Sequence, residues 1–66
     1  MNNKELAEKA AWKAQVIALV ANKILDESEK STVSPNQQES AIKTVRKLTK
    51  LATEHKEEAE FYYSLS

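Results

Sequence analysis

The chain has no glycine, no cysteine and one proline, Pro35, in 66 residues. Without cysteine there is no disulfide and no thiolate metal site to brace a small fold. Without glycine there is no phosphate-cradling loop and no αL glycine to close a helix. Charge of one sign is also lacking. Ten basic residues balance ten acidic ones, which removes any global pull toward nucleic acid or a membrane. The longest unbroken apolar run, Val16 to Ala21, falls far short of the ~20 residues of a transmembrane helix. The N-terminus Met1-Asn2-Asn3-Lys4-Glu5 carries no signal-peptide pattern, so a cytoplasmic protein is expected.

What remains is rich in alanine, glutamate, lysine and leucine, with helix breakers only near the middle. This predicts a single all-α domain over residues 1–66, with a helix over about 3–29, a loop over about 30–34 and a helix over about 35–64. Asn2 or Asn3 can cap the first helix, and Glu5 stands three residues after Asn2 at a capping-box spacing. The second start is better marked. Ser34, Pro35 and Gln37 supply an N-cap, an N1 proline and an N3 glutamine. No glycine follows the first helix, so its end is expected to be loose.

Two apolar seams follow. Ala7, Ala10, Ala14, Ile17, Ala21 and Ile24 are spaced 3, 4, 3, 4, 3, while Ala41, Val45, Leu48, Ala52, His55, Ala59 and Tyr62 are spaced 4, 3, 4, 3, 4, 3. Both are heptad patterns. A short loop makes consecutive helices antiparallel neighbours, and a turn centred near Val33 sets Ala7 against Ala59, Ala14 against Ala52 and Ala21 against Val45. Each helix is basic early (Lys4, Lys9, Lys13; Lys43, Arg46, Lys47, Lys50) and acidic late (Asp26, Glu27, Glu29; Glu54, Glu57, Glu58, Glu60). Antiparallel packing puts each basic half beside an acidic half, an arrangement that disfavours parallel or slipped pairing.

The first helix is apolar on more than one side. Leu6, Ala10, Ile17, Val20, Ala21 and Ile24 make one broad stripe, and Trp12, Val16 and Leu19, spaced i, i+4, i+7, make a second on roughly the opposite side. One neighbouring helix covers one stripe. The other must meet a partner, another copy of the chain, or water. Phe61 projects outward at the end of the hairpin that carries Trp12, with Tyr62 and Tyr63 turned toward the seam. Trp12, Val16, Leu19 and Phe61 are therefore the candidate partner-binding residues.

Chemistry is thinly represented. His55, the only histidine, falls on the seam, where a partly buried structural role fits better than a general base or metal ligand. No serine, histidine and carboxylate are spaced as a nucleophile, base and orienting group. Two helices build no concave pocket for a paired-carboxylate enzyme. No catalytic residue, metal or cofactor is expected. Lys43, Arg46, Lys47 and Lys50 share about 100° of arc opposite the second seam and are the candidate nucleic-acid-binding residues.

In its length and its alanine-bearing antiparallel seam the chain resembles the Rop-like RNA-binding hairpin dimers. In size and layout it is similar to the small helical-hairpin chaperones of bacterial secretion systems. The first resemblance implies a homodimeric four-helix bundle and a nucleic-acid-binding regulator acting through the basic face. The second implies an adaptor or chaperone-like subunit. The residues themselves favour a protein–protein interaction module whose partner is itself or another helical protein.

Overall fold

A computed structural model describes residues 2–30 and 32–66. It contains two helices, α1 (Asn3–Ser28) and α2 (Pro35–Leu65), packed against each other. The molecule measures 48 × 14 × 13 Å. A 31-residue helix is itself about 46 Å long, so α1 must lie back alongside α2, and the fold is an antiparallel hairpin.

The starts of the helices follow the capping chemistry of the sequence. At α1 the Glu5 N–H donates to Asn2 Oδ1 at 2.8 Å. At α2 the capping box is complete: the Gln37 N–H donates to Ser34 Oγ at 3.3 Å, the Ser34 N–H donates to Gln37 Oε1 at 3.1 Å, and Pro35 occupies the first turn. The end of α1 lacks a left-handed residue. Its C-cap, Glu29, stays right-handed at φ −84°, ψ −6°, and its N–H donates to Asp26 O at 3.3 Å. Tight i→i+3 bonds continue from Lys30 to Glu27 and from Val33 to Lys30. This end is tied across the loop as well. The Gln38 side-chain N–H donates to the Ser28 carbonyl at 3.0 Å, satisfying one of the carbonyls that a helix C-terminus leaves open.

The interface is built from alanine. The buried residues are Ala7, Ala10, Ala21, Ala59 and Ser28. Around them, the partly buried positions on α1 include Ala14, Ile17 and Ile24, and those on α2 are Gln38, Ala41, Val45, Leu48, Ala52, His55 and Tyr62. These are the two heptad seams, extended at one end by Ser28 and Gln38. Small side chains let the backbones approach closely, and no large side chain among the described residues is enclosed.

One expectation is corrected here. Val20, assigned to the covered stripe, is 46% exposed. At 100° per residue it lies about a quarter-turn from the Ala10–Ala14–Ile17–Ala21 line, beyond the reach of a single neighbouring helix. The opposite charge halves lie side by side across the hairpin without ion pairs between them among the described residues. The ion pairs among the described residues, Glu27–Lys30 and Glu39–Lys43, and the His55–Glu58 contact all lie within one helix or at its end. The remaining charges point away from an interface made of alanine and so do not reach one another.

Candidate functional site

The outer side of α1 carries the two most exposed large apolar side chains of the helix, Trp12 and Leu19, with Val16 between them. Trp12 is 64% exposed, Leu19 62% and Val16 37%. These residues lie two positions after Ala10, Ala14 and Ile17 of the seam, a rotation of about 200°, so α2 cannot touch them. Val20 continues this apolar surface from Val16 toward the flank of the hairpin. There it meets half-buried Ile17 and Ile24, and across the groove half-buried Leu48 and exposed Leu51. The uncovered apolar surface is therefore wider than the three residues singled out by spacing.

The opposite flank is a shallow groove between the helices. It is lined by Ala11, Ala14 and Ala18 from α1 and by Thr49, Ala52 and Thr53 from α2. Tyr63 borders it and is 48% exposed, whereas Tyr62 is half-buried. The expectation that both tyrosines face the seam holds only for Tyr62, because Tyr63 lies one residue, or 100°, past the seam position.

Phe61 is 57% exposed, and its ring meets Tyr62 edge-on with centroids 5.5 Å apart and planes at 66°. It stands nearly opposite the α2 seam and so on the outer face of α2. Trp12 stands on the outer face of α1. The two lie at the same end of the hairpin with both helices between them, and they do not form one surface. Lys43, Arg46, Lys47 and Lys50 are all exposed on the same outer side of α2. Lys43 is held by Glu39 at 3.7 Å.

The titratable groups show little organised chemistry. His55 is half-buried on the seam, its Nδ1 lies 4.0 Å from Glu58 Oε2, and that nitrogen has no hydrogen-bond partner. The Glu27 carboxyl is held below the ordinary glutamate value, first by its hydrogen bond from Lys30 at 2.9 Å and then by that ammonium's charge. Among the described residues no group of three or more histidine or carboxylate side chains gathers as a metal site, and no helix is long and apolar enough to cross a membrane. Compared with known proteins, the chain matches no family model, no curated protein and no solved structure.

Proposed function

We propose that the chain is a non-enzymatic protein–protein interaction module, an adaptor, chaperone-like subunit or small regulator, working through the apolar face Trp12, Val16 and Leu19. The observation that carries this reading is the surface the hairpin leaves uncovered. Its accessible area is 5124 Å², whereas a compact monomer of 7.5 kDa exposes roughly 4200 Å². The surplus of about 900 Å² is close to the roughly 800 Å² that one partner contributes to a standard interface. Elongation agrees with this, since the radius of gyration is 15.1 Å against about 11 Å for a globular chain of this length. The large apolar side chains exposed on this surface include Trp12, Leu19, Val20 and Val16, and burial of such side chains is what association supplies.

A homodimeric four-helix bundle is the simplest assembly that covers the hairpin, a closed two-fold arrangement in which each copy supplies the apolar wall the other lacks. At micromolar concentration the molar mass is expected to be twice 7.5 kDa. The paired substitution Trp12→Ala with Leu19→Ala is expected to disrupt partner capture, and Arg46→Glu with Lys47→Glu is expected to leave it intact. A stable folded monomer overturns the assembly. Unchanged mass, stability and partner binding in the Trp12/Leu19 variant overturns the surface. Loss of function in the Arg46/Lys47 variant alone, with steeply salt-sensitive RNA or DNA binding, would select the basic face of α2 in its place.

A further inference from the structure

The uncovered side of α1 carries a line of heptad-spaced residues of its own, apolar at its centre and charged at both ends. Glu5, Lys9, Trp12, Val16, Leu19, Lys23 and Asp26 are spaced 4, 3, 4, 3, 4, 3, and all seven are exposed. Each of them after Glu5 sits two residues after a member of the seam that α2 covers. α1 thus presents two heptad-spaced lines on opposite sides, one occupied by α2 and one free. The free seam spans 21 residues of rise, about 32 Å, which is the length of three heptads of a partner helix.

Its charges read the same in both directions: acidic, basic, three apolar residues, basic, acidic. None of Glu5, Lys9, Lys23 or Asp26 has an ion-pair partner among the described residues. This order bears directly on what can cover the seam. In an antiparallel pairing of two copies that matches Trp12 with Leu19 of the other copy, Glu5 meets Asp26 and Lys9 meets Lys23. Two-fold symmetry repeats both, giving four like-charge oppositions. A parallel, in-register pairing sets each charge against its own copy. Sliding an antiparallel pair by half a heptad relieves the charges only by placing Lys9 against Leu19 or Lys23 against Trp12. Each arrangement gives up either charge complementarity or apolar contact.

We infer that the Trp12 seam is built for a helix other than its own copy, one whose facing positions run basic, acidic, three apolar residues, acidic, basic at heptad spacing. The inference rests on the reading of Trp12, Val16 and Leu19 as an interaction surface and adds the chemistry of the partner. Such a helix sets an opposite charge against all four flanking residues and three apolar side chains against the centre. Because the pattern is symmetric, charge does not fix the partner's direction, and the unequal sizes of Trp12 and Leu19 do.

The test uses two synthetic helical peptides of about four heptads with the same three-leucine centre. One has the complementary flanks Lys, Glu … Glu, Lys, and the other copies the chain's own flanks Glu, Lys … Lys, Asp. Affinity for the full chain is read by anisotropy of a label on the peptide. The complementary peptide is expected to bind at least tenfold tighter at about 0.05 M salt, taking four opposed exposed charges at the modest end of their range. The advantage should shrink at about 1 M salt, where the Debye length is about 3 Å. The charge-reversed chain Glu5→Lys, Lys9→Glu, Lys23→Glu, Asp26→Lys should prefer the other peptide. Equal affinities, or a dimer of the chain that Trp12→Ala with Leu19→Ala dissolves in the absence of peptide, overturns this inference and leaves the apolar surface standing. Binding of neither peptide, or binding that survives the Trp12/Leu19 double substitution, overturns both.

Discussion

Replacing Ala10 with leucine tests whether close approach of α1 and α2 holds the hairpin together. Ala10 is 1% exposed, beside Ala7 at 0%, in an interface whose buried member on α2 is Ala59. A leucine there adds three carbon atoms where side chain and backbone already fill the space, so the helices must separate or the side chain must leave its rotamer. Overpacking of this kind costs about 1–3 kcal/mol. For a domain of this size each kcal/mol lowers Tm by about 4–8 °C, so a fall of about 10 °C is expected. The control is Ala18→Leu on the same helix. Ala18 is exposed at the rim of the alanine-lined groove, and leucine and alanine are both good helix formers. Its effect should stay within about 0.5 kcal/mol. The assay is thermal unfolding followed by helical circular dichroism at matched protein concentrations, because any assembly raises Tm by mass action. An unchanged or raised Tm for Ala10→Leu, or equal damage from Ala18→Leu, would refute the alanine seam as the packing surface.

Two further outcomes follow from the ends of the helices. Ser34→Ala removes the acceptor of the Gln37 N–H and half of a reciprocal capping box, and should cost about 1 kcal/mol of stability, read as a lower denaturation midpoint with an unchanged m-value; a midpoint equal to wild type counts against the cap. Lys30→Ala frees the Glu27 carboxyl, whose titration followed by NMR should move up toward the ordinary glutamate value. Because the folded-state value is the lowered one, the stabilisation from this pair is present at neutral pH and is lost as pH falls through that value; a Glu27 titration that does not move assigns the shift to something other than Lys30.

How far the sequence could be read depends on the range of the interaction involved. The cap at Asn2, the capping box at Ser34 and Gln37 and the proline at the start of α2 act within one turn, so spacing alone reveals them. The seams were equally legible, because a straight helix fixes which residues share a side. The bond from Gln38 to the Ser28 carbonyl was not, since it joins residues ten apart across a loop whose path no local signal specifies. The separation of Phe61 from Trp12 was missed for a related reason. Each was correctly placed on the outer side of its own helix, but only the packed pair shows that two outer sides face in opposite directions.

By itself the sequence determined two helices, their caps and the alanine seam that joins them, through backbone propensity and the 3.6-residue period. The tertiary structure decided how much a single neighbouring helix can cover. The hairpin encloses only alanines and one serine among its described residues, so Val20 joins Trp12, Val16 and Leu19 on the uncovered side. It also decided the fate of the charges. Opposite halves of the two helices lie side by side yet do not pair, because an interface narrow enough for alanine turns long charged side chains outward. The second seam of α1, with its symmetric charges, is left free as a consequence, since one helix can occupy only one side of another.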